Sequence, residues 1–224
     1  MKISKSLAAA ALVAAATTFV RADTAADVYQ QLGIKTKDVM NSSVVTAKVL
    51  PGDAKQVVSV LTYLTGKKGE DNALGVRLDV FRQEGPKLVP VYSLDASAEN
   101  GGFVGRGEFA LLDLDGDGVN EIGLYYDNLK NGLIQDRRLD VVVFDGGAFH
   151  VAWTGSVSYD ATKAVRDVPE DRRDRYLRKL DFANTRRTKG VTLFMTKTMI
   201  SVAGDRLPQP KQVQETFPLK QPAP

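Results

Sequence analysis

A mainly β fold built from antiparallel sheets is what this 224-residue sequence predicts. Three observations carry that expectation. From Ser43 onward, apolar and polar residues alternate in short runs, the period of a half-buried strand. Segments 77–93 (RLDVFRQEGPKLVPVYS) and 138–154 (RLDVVVFDGGAFHVAWT) share one hairpin pattern and align without a gap, sixty-one positions apart. Between them lies an acidic, Gly-rich loop, Asp113 to Glu121, with strand-like residues on both sides.

Taken in order, the first 22 residues read as a cleaved secretory signal. Lys2 and Lys5 give a positive start, an apolar, Ala-rich run extends from Leu7 to Val20, and Val20-Arg21-Ala22 has the small-x-small form of a cleavage site. The run is too short and too Ala-rich for a membrane anchor, which needs about 20 apolar residues. Cleavage near Ala22 implies a secreted or periplasmic chain with no membrane span. The signal holds Lys2, Lys5 and Arg21 as its only charges, so its removal leaves 27 basic residues against 27 acidic ones. The sequence pI near 9.0 therefore says nothing of nucleic acid, an unlikely partner on these grounds. Without cysteine, the exported domain has no disulfide staples, and a bound metal is another way to stiffen it.

The rest reads as a single β-rich domain over residues 23–207. Ala25, Val28, Tyr29 and Leu32 recur at helical spacing, so a short helix is expected from Thr24 to Gly33. Strands follow over Ser43 to Leu50 and Val57 to Leu64, joined by a Pro51-Gly52-Asp53 turn. In the two aligned hairpins Arg-Leu-Asp-Val is identical, and Glu84-Gly85 matches Asp145-Gly146 at the turn. The unit strand–loop–strand–hairpin is thus expected twice, over about 44–95 and 105–155, as sheets of a sandwich or of propeller-blade form. Pro90 marks an edge strand in the first copy. Asp167-Val168-Pro169-Glu170 has the form of a helix start, predicting a second helix near 167–180. Residues 208–224 read as a Pro-spaced tail, partly disordered.

The acidic loop carries the one clear piece of chemistry. In LLDLDGDGVNEIGL, residues 111–124, Asp113, Asp115 and Asp117 alternate, and Gly116 and Gly118 permit a tight turn. Three carboxylates folded around one point repel each other unless a cation joins them. Calcium suits them because it accepts six to eight oxygens in a flexible shell. The Val119 carbonyl and the Glu121 side chain extend the ligand set. An EF-hand would need an acid at its twelfth position, where Leu124 stands, and helices on both sides. The stretch resembles instead the calcium loop of FG-GAP and VCBS-type β repeats, the integrin-like blades. Asp113, Asp115, Asp117, Val119 and Glu121 match that pattern position by position over about 105–126. The resemblance implies one structural Ca2+ held between two strands. It departs from the family in one respect: opposite this loop the first copy has Gly52, Asp53, Ala54 and Gln56, so the calcium ligands are absent there. Two units also cannot close a propeller, which takes four to eight blades.

Other features are weaker. His150 is the only histidine. In Phe149-His150-Val151-Ala152-Trp153 it points away from a face carrying Phe149, Val151 and Trp153, and no nucleophile elbow accompanies it. The basic stretch 163–189 contains Asp171 four residues before Arg175 and Asp174 four before Arg178, a pattern of ion pairs on a solvated helix. Its least compensated part, Arg186, Arg187 and Lys189, is the candidate anion-binding surface. Three functions are compatible with all this. The leading one is an exported, non-enzymatic binding or structural protein with one calcium-stabilised loop, its partners a cell-surface protein or polysaccharide. A secreted hydrolase of an extracellular polymer, with no catalytic residue assigned, and a binder of polysaccharide, lipid or nucleic acid anions are the alternatives.

Overall fold

The computed structural model describes residues 18–19, 22–52, 54–65, 74–96, 104–128, 134–164 and 168–219. The chain is mainly β, in two antiparallel sheets that do not close into a barrel. The first holds β1 (Thr18–Phe19), β2 (Val39–Ala47), β3 (Gln56–Leu64), β4 (Leu74–Glu84) and β5 (Lys87–Asp95) in sequence order. In the second, β6 (Val104–Leu112), β7 (Glu121–Asn128), β8 (Gln135–Asp145) and β9 (Ala148–Asp160) are continued by β10 (Arg175–Leu180), β11 (Thr192–Val202) and β12 (Asp205–Pro218). Every link between long neighbours is antiparallel. Among the described residues no helix is long and apolar enough to cross a membrane. Most of the predicted signal lies outside the described residues. Its Thr18 and Phe19 pair with Thr46 and Val45.

Strands β2–β5 and β6–β9 are two meanders of matching register. Val80 faces Tyr92 and Val141 faces Trp153, and a bulge follows at once in each, between Val80 and Phe81 and between Val141 and Val142. Both hairpins turn on a glycine with positive φ, Gly85 at 60° and Gly146 at 59°, a conformation that costs other residues more. The shared Arg-Leu-Asp-Val places a buried carboxylate in each sheet. Asp79 is 1 % exposed and takes Arg77 Nε at 2.7 and 2.9 Å. Asp140, also 1 % exposed, accepts from Thr154 Oγ1 at 2.5 Å, to which Arg138 Nη2 donates at 3.2 Å. A charge this deep is tolerated only when paired and hydrogen-bonded, and these bonds tie each carboxylate into its sheet.

The meanders pack face to back. Leu78 and Val80 of β4 point into the cluster shared by the sheets, with Val58, Val60, Ile122, Leu124 and Val142. Their counterparts on β8, Leu139 and Val141, point the other way, towards Trp153, Leu193 and Met195. Phe81, on the outer face of the first sheet, is buried with Val57 and Leu61 under Val28, Tyr29 and Leu32 of α1 (Ala22–Leu32). α1 thus covers one end of the stack, while Leu193 and Met195 of β11, with Phe217 of β12, pack on the other.

Two expectations are corrected. The described residues 168–180 of the predicted helix contain no long helix: Glu170–Arg172 make one 3-10 turn, and Arg175–Leu180 is strand β10. Its burial alternates with period two, exposing Arg175, Leu177 and Lys179. The inward residues find distant partners, Tyr176 stacking on Tyr159 at 5.4 Å and Arg178 pairing with Glu215 at 2.6 Å. The Pro-spaced segment from Pro208 forms most of β12 as far as Pro218, with Lys211 to Pro218 paired to β11; residues 220–224 lie outside the described ones. Lastly, the bulge at Ala152 turns Trp153 away from Phe149 and Val151. Those two pack between the sheets, whereas Trp153 lies in the outer cluster. Pro90 does stand in an edge strand, β5, beside the bulge in its pairing.

Candidate metal centre

The loop between β6 and β7 is held by its own side chains. Asp113 Oδ1 accepts from Gly116 N–H at 2.8 Å, Asp115 Oδ1 from Asp117 N–H at 3.0 Å, and Asp117 Oδ1 from Val119 N–H at 2.7 Å. Gly116 and Gly118 take φ of 84° and 81°, which lets the chain coil inside its Asp side chains. The result brings one carboxylate oxygen from each of Asp113, Asp115 and Asp117 within 4.8 Å of one another. Glu121, the first residue of β7, reaches back to accept from Leu114 N–H at 2.7 Å. The sequence-predicted residues are therefore on one loop, with three carboxylates clustered and Glu121 bracing the base.

The electrostatics follow from that crowding. Burial, then the charges of Asp117 and Asp113, raises the Asp115 carboxyl above its ordinary range against the pull of the Asp117 N–H. Burial lifts Glu121 from 4.5 to about 7, against the Leu114 N–H and with a smaller push from Asp115 and Asp117. Both groups are costly to ionise without a counter-charge.

A basic turn leans on the loop. α2 (Phe182–Arg187), capped by the Asp181 side chain, projects Arg186 so that its Nε donates to the Asp113 carbonyl at 2.9 Å. Its Nη2 lies 3.6 Å from the Asp113 carboxylate. Arg187 donates instead to Asn184 at 3.1 Å. Lys189 lines a recess of about 260 Å³ with Asp115, Glu121, Asp145, Phe144 and Gly190. The three predicted anion contacts thus do not form one free cationic face, since Arg186 is turned onto acid. All three acids of the recess come from the second meander.

One member of the constellation is not visible from the hairpin alignment. Ala47 pairs with Gln56 across the first loop and Leu112 with Glu121 across the second, sixty-five positions on. At this spacing Gln56 is the counterpart of Glu121, and the two loops are equally long. The bonding agrees: Gln56 Oε1 accepts from Val49 and Leu50 N–H at 3.0 and 3.1 Å, as Glu121 accepts from Leu114. Gln56 Nε2 then donates to the Ala54 carbonyl at 2.8 Å, whose counterpart is Val119. The loops also touch, because Asn120 N–H and Nδ2 both donate to the Lys48 carbonyl at 2.8 and 3.0 Å. Only the signal of a polar residue opening each second strand could have found Gln56. Comparison with protein-family models, with curated proteins and with solved structures finds no match.

Proposed function

We propose that this is an exported, non-enzymatic binding or structural protein in which one calcium ion stabilises the loop from Asp113 to Glu121. Asp113, Asp115, Asp117, the Val119 carbonyl and Glu121 are the ligands, and the unit of strands, loop and hairpin is a duplication. The observation that carries the reading is the pair of loops. In the first, a neutral amide both accepts from Val49 and Leu50 and donates to the carbonyl of Ala54. In the second, the same position is a carboxylate, which has nothing to donate to the Val119 carbonyl. A cation between carboxylate and carbonyl supplies what the amide supplies in the first loop. Three further Asp side chains stand there, where the first loop has Lys48, Leu50 and Gly52.

The role is structural. Every acid of the cluster is used as a ligand, and the adjoining recess gathers acids from one meander only, which favours stabilisation over hydrolysis of a polymer. Arg186 engaged on Asp113 likewise weighs against a surface for anions. A polysaccharide or a cell-surface protein remains the proposed class of partner. At ten times its dissociation constant, one ion would stabilise the fold by about 1.4 kcal/mol. The test is thermal unfolding in chelator and in millimolar calcium. The melting temperature should rise with calcium in the parent and stay fixed in Asp115→Ala, and a parent that ignores calcium would end the proposal.

A further inference from the structure

Among the described residues the two sheets have four ends, and β5 and β6 are obstructed; β2 carries β1 along Val45 and Thr46 only in a chain that keeps Thr18 and Phe19, which cleavage near Ala22 would remove. β5 has Pro90 beside its bulge, and a proline offers no ladder donor. β6 turns Gly107 N–H to Thr62 Oγ1 of the other sheet at 2.8 Å, while the Gly107 carbonyl accepts from Asn41. β12 differs. Among the described residues it pairs with β11 alone, and from Lys211 to Gln214 every residue is exposed, Val213 by 42 %. Such an edge is a template for another strand.

We infer that the β12 edge pairs antiparallel with β12 of a second copy of this chain, about a two-fold axis at Val213. The sequence of the edge chooses this occupant. Lys211-Gln212-Val213-Gln214-Glu215 is self-complementary when reversed: Lys211 comes opposite Glu215, Gln212 opposite Gln214, and Val213 opposite itself. The register is specific. Centring the axis on Gln212 sets Lys211 against Val213, and centring it on Gln214 sets Val213 against Glu215, so each loses both charge pairs. Cross-strand partners of opposite charge stabilise a ladder and mismatches weaken it. Arg178 and Lys197 already fix the Glu215 carboxylate, at 2.6 and 3.7 Å. The glutamines find amide partners on the opposite face, where Gln214 Nε2 already donates to Thr196 at 2.9 Å. Pro210 and Pro218 bound the open stretch, which limits pairing to the complementary residues and discourages longer fibrils. An isologous, closed dimer results.

Sedimentation equilibrium on the full chain across the micromolar range tests this. The parent should sediment at twice the monomer mass. Val213→Lys and Val213→Glu should each be monomeric, because each puts like charges together on the axis, and an equimolar mixture of the two should recover the dimer. That rescue is what a folding defect would not produce. Should Val213→Lys fail to fold, Val213→Glu, which faces Lys197 across the β11–β12 pair, still decides between monomer and dimer. A monomeric parent, single variants that remain dimers, or a folded mixture that stays monomeric would overturn the inference.

Discussion

Changing Glu121→Gln should make the ion-free protein more stable at alkaline pH while taking away its response to calcium. The magnitude follows from the carboxyl, which burial lifts from 4.5 to about 7. A group whose pKa is raised on folding contributes stability that is complete below its unfolded pKa and is lost as pH climbs through the folded value. Ion-free protein should therefore weaken between about pH 4.5 and pH 7, by at most about 3 kcal/mol from this one group. Glutamine cannot ionise. It keeps the acceptor for Leu114 N–H and adds a donor for the Val119 carbonyl, reproducing the bonds of Gln56. Recovering even half the penalty is worth about 1.5 kcal/mol, or roughly 3–6 °C in melting temperature for a domain of this size. The assay is calorimetric unfolding at pH 5 and pH 8, each in chelator and in calcium. The variant should melt above the parent at pH 8 in chelator, match it at pH 5, and gain nothing from calcium. A variant that melts below the parent at pH 8 in chelator would refute the equivalence of the two loops.

The reverse change, Gln56→Glu, buries a carboxyl where the first loop has Lys48, Leu50 and Gly52 at the positions of the three Asp residues. It should cost about 1–3 kcal/mol at pH 8 and much less at pH 5 by chemical denaturation. Gly190→Ala should destabilise the turn after α2 by about 1 kcal/mol or more, since φ is +69° there and the new Cβ would stand 3.1 Å from Asp115 Cβ. It should also shift calcium affinity, which titration on the variant would measure. Phe81→Ala, fully buried beneath α1, should cost about 3–5 kcal/mol in urea unfolding.

The legible parts of the fold were those set by neighbours in sequence. Glu84-Gly85 and Asp145-Gly146 announced their hairpins because a glycine at positive φ is needed at each turn, and α1 was written in the spacing of Val28, Tyr29 and Leu32. Segment 167–180 failed because its cap, its proline and its charges four apart suit a helix as well as a strand. What decided it lay far along the chain, at Tyr159, Thr198 and Glu215. β12 was hidden for a related reason. Pro208 and Pro210 read as breakers, yet they fall where the strand is out of step with β11, between the pairs Ser201–Arg206 and Met199–Lys211. The acid cluster was local, and the structure brings its three Asp side chains together as spaced. The counterpart of Glu121 was not local. The hairpins lie sixty-one positions apart, but the strand pairs before them lie sixty-five apart, so a single alignment set Gln56 against Asp117 in place of Glu121. Arg186 was likewise readable as a charge but not as a neighbour of Asp113.

Isothermal titration of calcium into the chelator-treated protein, beside Asp115→Ala, reaches the central claim most directly. The account predicts one site per chain for the parent and no heat for the variant. A parent that binds no calcium, or an Asp115→Ala protein that binds it equally well, would contradict the assignment of a cation to the loop between β6 and β7.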